Sequence, residues 1–158
     1  ISDIHIPAAA KTLPQKVYEI FKQCDLIVHA GDAVEREAIE KLQAIKETVA
    51  VHGNMDSVEL KHTLPATTVF VASGKTIGVT HGRGLAGDVL DNVTETFKKQ
   101  KLDIIIFGHS HAPFNKKIKG TLYFNPGSVS DTVHAPYRSF GVIEIKDGKI
   151  ISEIIRID

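Results

Sequence analysis

Seven side chains able to bind a metal stand just past apolar runs in this sequence. They are Asp3 and His5 in Ser-Asp-Ile-His, Asp32 in His-Ala-Gly-Asp, Asn54 in His-Gly-Asn-Met-Asp, His81 in Thr-His-Gly, and His109 and His111 in Gly-His-Ser-His. The apolar runs 26–28, 49–51, 77–79 and 104–107 read as strands that end where these groups begin. Open α/β sheets gather ligands in the crevice beyond the carboxyl ends of their strands. Seven oxygen and nitrogen donors are too many for one tetrahedral ion, and suit two ions sharing a carboxylate.

Spacing adds detail. Asp3 and His5 are two apart, and on an extended segment such residues point to one side, so one strand end can give two ligands to one ion. His109 and His111 repeat that spacing. Gly31, Gly53 and Gly108 directly precede Asp32, Asn54 and His109, where glycine permits a tight turn and close backbone approach. Two divalent ions against the carboxylates of Asp3 and Asp32, with one bridging hydroxide, leave a charge of about +1. Such a centre attracts anions and suits a negatively charged phosphoryl transition state. Imidazole mixed with carboxylate fits Mn, Fe, Zn, Co or Ni better than Mg or Ca, with Mn expected first.

The elements that must carry these residues alternate in the first half. A strand over 1–4 leads to a helix with Leu13, Val17, Ile20, Phe21 and Cys24 on one face, behind a capping box of Thr12 and Gln15. A strand over 26–29, a helix marked by Ala38, Ile39 and Leu42, and a strand over 48–52 follow. This β-α-β-α-β order predicts parallel strands with right-handed crossovers. The second half predicts a hairpin of 68–72 and 76–80 around Ser73-Gly74-Lys75, and a helix with Leu90, Val93 and Phe97 on its face. Strands over 103–107, 116–118, 121–124, 140–145 and 149–157 come next, with Asp147-Gly148 as a tight turn. The strands after residue 110 are expected to be largely antiparallel. Two packed sheets with helices outside follow, as an α/β fold in one domain over residues 1–158.

Nineteen basic and nineteen acidic residues cancel, so no general field draws the chain to nucleic acid or a membrane. Lys98, Lys99 and Lys101, and Lys116, Lys117 and Lys119, read as solvated faces. Cys24 is the single cysteine and reads as a small buried hydrophobe. Nothing suggests an oxidising compartment, and a cytoplasmic location is expected. No apolar run nears the ~20 residues of a membrane span. No signal peptide is visible. The chain opens at Ile1 inside what reads as a strand end, so a start Met and a few strand residues are expected upstream.

In order and spacing these motifs resemble the calcineurin-like metallophosphoesterase superfamily, whose pattern is Asp-x-His, Gly-Asp, Gly-Asn-His-(Asp/Glu), a His, then Gly-His-x-His. The resemblance runs from Ser2 to Arg156. Chain size and Asn125-Pro126-Gly127-Ser128 make it similar to the small YfcE-type phosphodiesterases; the retromer scaffold subunit called vacuolar sorting protein 29 shares that fold. The resemblance implies a four-layer α-β-β-α sandwich. It implies one ion on Asp3, His5, Asp32 and His111 and another on Asp32, Asn54, His81 and His109, with Asp32 bridging. It further implies in-line attack on phosphorus by a metal-bridging water or hydroxide, with Asn54 near a phosphate oxygen. A homodimer or homotetramer is part of the same expectation.

Two positions depart from the family. Met55 stands where the superfamily often has the His after Gly-Asn, so leaving-group protonation is in doubt and activated aryl esters should react more readily than alkyl ones. Arg83 stands where YfcE-type chains often read His, and its guanidinium could grip a substrate phosphate. Asp56 reads as support behind the ligands. His29 and His52 read as packing residues, His134 as a minor candidate for a substitute acid, and His62 as surface. Asn125-Pro126-Gly127-Ser128 reads mainly as a structural turn. The expected function is a two-metal phosphodiesterase acting on small phosphodiesters or nucleotides. The rivals are a protein-interaction scaffold of the same fold and a metal hydrolase for other substrates; the complete set of seven ligands argues against the scaffold.

Overall fold

The computed structural model describes residues 1–8 and 11–157. α1 (Gln15–Phe21) turns Val17 and Phe21 inward and leads to β1 (Ile27–Ala30). α2 (Arg36–Gln43) buries Ala38, Ile39 and Leu42, and leads to β2 (Thr48–Val51), which pairs parallel with β1. α3 (Val58–Thr63) is capped by Ser57, whose Oγ accepts from the Leu60 N–H at 3.4 Å. β3 (Thr67–Ala72) and β4 (Lys75–Thr80) form an antiparallel hairpin. Its turn holds Ser73 at φ 48° and Gly74 at φ 74°, the two positive values a type I′ turn requires.

α4 (Val89–Phe97) then carries the chain to β5 (Ile104–Ile106), parallel to β4. β6 (Phe114–Ile118) and β7 (Thr121–Asn125) are antiparallel to each other, and β7 pairs parallel with β5. β8 (Ser139–Lys146) and β9 (Lys149–Arg156) close the chain as a hairpin around Asp147-Gly148. One sheet is therefore mixed, in the order β3-β4-β5-β7-β6.

The other layer is pieced together around the first residues. Ala30 N–H donates to Ile1 O at 2.9 Å, Asp3 N–H to Gly31 O at 3.0 Å, and His5 N–H to Asp32 O at 3.1 Å. On the opposite side Ser2 bridges Ser128, and Ser139 N–H donates to Ser128 O at 2.8 Å. Residues 1–5 thus join the β1–β2 pair to the β8–β9 pair.

Three cores separate four layers. Leu13 ahead of α1, Val17 of α1, Ile39 and Leu42 of α2, and Leu60 of α3 pack on Ile4, Ile27, Val129 and Phe140. Ala30 and Val51 meet Val79, Ile104, Ile106 and Phe124 between the sheets. Val89, Val93 and Phe97 of α4 cover Ile105, Phe107 and Tyr123. The run 104–106 shows the logic: alternate side chains face opposite sides of a strand, so Ile104 and Ile106 go inward and Ile105 goes under α4. The result is the α-β-β-α sandwich of two mixed layers. Among the described residues no helix is long and apolar enough to cross a membrane.

Several local expectations are corrected. Residues 1–4 form no regular strand, because Asp3 (φ 51°) and His5 (φ 43°) turn the backbone left-handed. Thr12 does not cap α1; Pro14 occupies the N-cap, and its ring fixes φ where the helix starts. Cys24 lies beyond the end of α1, only partly buried, with Sγ donating to Ile20 O at 3.4 Å. α3 carries no sequence expectation, and β7 joins β5 in parallel within the largely antiparallel second half. Both lysine groups are exposed.

Candidate metal centre

Five of the seven candidate ligands stand in unusual backbone. Asp3, His5, Asp32, His109 and His111 all have positive φ, from 43° to 70°. For a residue other than glycine that conformation costs ~1 kcal/mol or more, and such strain concentrates where function demands it. Glycines make the room. A Cβ on Gly108 would lie 2.7 Å from Asp3 Oδ2, and one on Gly53 would overlap the Asp32 carboxylate. Each glycine thus admits a ligand that comes from a different strand.

Those ligands converge in two groups. His111 Nε2 lies 3.3 Å from both Asp3 Oδ1 and His5 Nε2. Asn54 Oδ1 lies 3.1 Å from His81 Nε2 and 3.0 Å from His109 Nδ1, and Asp32 Oδ2 lies 3.3 Å from His81 Nε2. The carboxylates link the groups: Asp32 Oδ2 is 3.9 Å from His5, and Asp3 Oδ1 is 3.9 Å from His81. Asp3, Asp32 and His81 are buried, whereas Asn54 is exposed at the mouth.

The outer ring nitrogens decide what the inner ones offer. His81 Nδ1 bonds Ala30 O at 2.8 Å, His109 Nε2 bonds Gly84 O at 2.8 Å, and His111 Nδ1 bonds Asp131 Oδ2. Carbonyl and carboxylate oxygens only accept, so each outer nitrogen carries the proton and donates. A neutral ring then presents a bare lone pair inward. Two of those, on His81 and His109, face each other across 3.3 Å with Asn54 Oδ1 beside them. Such atoms repel unless a proton or a cation lies among them. Tied outer nitrogens are also what orients histidine toward a metal. The donor set, imidazole with carboxylate and one amide oxygen, fits a divalent transition ion.

Protons respond to the same field. The hydrogen bond to Asp3 raises the His111 pKa to about 9 against the pull of burial. Burial pulls His81 down, but the Asp32 hydrogen bond and the Asp3 and Asp32 charges outweigh it, and its pKa is raised. Burial pushes the Asp32 carboxyl up, yet His81 and the Met55 N–H hold it below its ordinary value.

Other candidates have plainer places. Asp56 accepts from the backbone N–H groups of Gly53 (2.7 Å), Val34 (2.6 Å) and Asp32 (3.1 Å), clasping two ligand loops together. Asn125 Nδ2 donates to Gly108 O at 2.9 Å and Ser128 Oγ to Asp3 O at 2.7 Å, so the 125–128 turn ties two ligand segments. His29 is buried, accepts from Gly31 N–H at 3.3 Å, and is held near a pKa of about 4 by burial. Met55, Arg83, His62 and His134 are exposed. Asp131 has no counterpart in the sequence reading. It stands in an irregular loop, with no apolar period or motif beside it to mark it.

A sandwich with imidazole and carboxylate donors converging at its strand ends is the architecture of a metallophosphoesterase. The chain belongs to the calcineurin-like phosphoesterase superfamily, whose domain model matches residues 1–148. It is 33% identical over 160 residues to a probable metallophosphoesterase of Methanocaldococcus jannaschii, covering 100% of this chain and 80% of that protein. It is 26% identical over 185 residues to phosphodiesterase YfcE of Escherichia coli strain K12, covering 97% and 94%. The structure of vacuolar protein sorting 29 from Cryptosporidium parvum superimposes with a TM-score of 0.78 over 99% of this chain and 95% of that one. At 24% identity that likeness is one of fold.

Proposed function

We propose that the chain is a dinuclear metal-dependent phosphodiesterase acting on small phosphodiesters or nucleotides. The observation that carries this is the convergence of His81, His109 and His111, each oriented by its outer partner, with Asp3, Asp32 and Asn54. Asp3, His5, Asp32 and His111 would hold one ion, and Asp32, Asn54, His81 and His109 the other, with Asp32 shared. When bound, such ions supply a water of lowered pKa and positive charge for the phosphoryl oxygens. The similarity to YfcE supports the choice of a phosphodiester.

The residues divide the remaining work. Asp32 Oδ1 accepts from the Met55 N–H at 2.8 Å, which keeps Oδ2 turned to the centre. Asn54 directs Oδ1 at His81 and His109, so its amide N–H groups are available to a phosphoryl oxygen. Met55 has no proton to give and Asp56 is engaged by three backbone donors, so neither residue after Asn54 serves as an acid for the leaving group. Acidic leaving groups are therefore favoured.

The test is hydrolysis of bis-p-nitrophenyl phosphate by chelator-stripped protein with and without Mn²⁺. Restored turnover is expected. No turnover with Mn²⁺, Ni²⁺, Co²⁺ or Zn²⁺ would overturn the reading and favour an interaction scaffold of the same fold.

A further inference from the structure

Asn54 and His81 do more than face the centre. They also line a groove of about 470 Å³ that leads away from it. Lys61 of α3, Thr67 at the start of β3, Thr80 at the end of β4 and Arg83 just beyond it form its walls, with His52 beside Gly53 and Asn54. The whole chain has as many acidic as basic residues, yet this lining holds Lys61 and Arg83 and no carboxylate. Neither cation makes an ion pair among the described residues. Both are rooted close to the centre. Lys61 Nζ donates to Asn54 O at 2.7 Å. Arg83 stands between His81 and Gly84, and Gly84 O accepts from His109 Nε2.

We propose that this groove recognises a second phosphoryl group on the substrate, so that the preferred diesters are nucleotide-like and carry a terminal phosphate beside the scissile one. The inference rests on the phosphodiesterase reading and names its substrate class. The scissile phosphate is matched by the metal centre itself. A neutral aryl or alkyl substituent would give Lys61 and Arg83 no anionic partner. A phosphate monoester gives each of them a charge-assisted partner, and guanidinium fits phosphoryl oxygens in a bidentate fork.

Thymidine 5′-(p-nitrophenyl phosphate) and its 3′-phosphorylated counterpart differ only in that second phosphate. In each, water adds to phosphorus and p-nitrophenolate leaves, giving the 5′-phosphate. With Mn²⁺-loaded protein, kcat/KM is expected to be about tenfold or more higher for the 3′-phosphorylated ester, the worth of one charged hydrogen bond. The preference should fall in Lys61→Gln and in Arg83→Gln and weaken with added salt. Equal kcat/KM for the two esters, or a preference that survives both substitutions, overturns the groove while bis-p-nitrophenyl phosphate turnover leaves the hydrolase reading standing. Calorimetry with thymidine 3′,5′-bisphosphate and thymidine 5′-monophosphate covers the reverse case. Tighter binding of the bisphosphate, lost in both variants, supports the groove even where no ester is cleaved, and equal binding overturns it.

Discussion

In the proposed centre a proton and a metal ion would compete for one nitrogen of His111. Its raised pKa in the metal-free centre means stabilisation that is complete below the ordinary 6.5 and lost as pH climbs through about 9. Chelator-treated protein should therefore melt at lower temperature as pH rises across that window, while Mn²⁺-loaded protein stays flatter because the ion replaces the proton. Parallel profiles for the two forms would contradict this. The Asp131 carboxylate on the outer nitrogen is a positioning group with its own signature. Asp131 also accepts from Val133 N–H at 2.7 Å and His134 N–H at 3.1 Å, so it is fixed before any ion arrives. Asp131→Asn keeps the shape and removes the charge. Metal affinity measured by competition with a chelating dye should fall about 10–100-fold. Unchanged affinity would reduce Asp131 to a loop residue.

Elements explain which parts of this design could be read without coordinates. α2 and α4 were legible because Ala38, Ile39 and Leu42, and Leu90, Val93 and Phe97, repeat at helical spacing; all become buried except Leu90, which is half-buried against the same core. α3 was not, since six residues with one buried side chain, Leu60, cannot display a period. The candidate ligands were legible as polar groups directly after apolar runs. Their geometry was not: Asp3 and His5 do meet one partner, His111, but through left-handed turns rather than along an extended strand. Side-chain type does not announce such φ values. The glycines give this level its experiment. Gly108→Ala would press its methyl on Asp3 Oδ2 and on Ser2 Cβ, at 2.7 and 2.8 Å. A loss of ~1–3 kcal/mol in denaturant unfolding is expected, together with weaker metal binding. Gly87→Ala is the control, because nothing lies within 4 Å of its added Cβ. Equal stability of the two variants would show that the strand-end packing yields more easily than its distances suggest.

Across the whole molecule, the strained residues and the cores are different residues. The three apolar cores hold the sandwich and contain none of the seven ligands. The loops of the candidate ligands carry left-handed backbone and donors that repel one another unless protons or ions lie among them. His109→Gly in chelator should accordingly melt no lower than the parent protein, because glycine adopts φ 70° freely and relieves ~1 kcal/mol of strain. A fall of several degrees would show that the ring's bond to Gly84 O matters more. In Mn²⁺ the order should reverse, with the parent gaining stability from the ion and the variant gaining less. Lineages bearing this architecture thus live on an uneven slope. Once selection for turnover lapses, substitutions that relieve left-handed backbone at a position such as His109 carry little penalty in folding, while the sandwich persists on cores those changes never touch. Descendants that keep the shape and abandon the chemistry are reached by drift downhill; the return journey has to rebuild strain at several positions together.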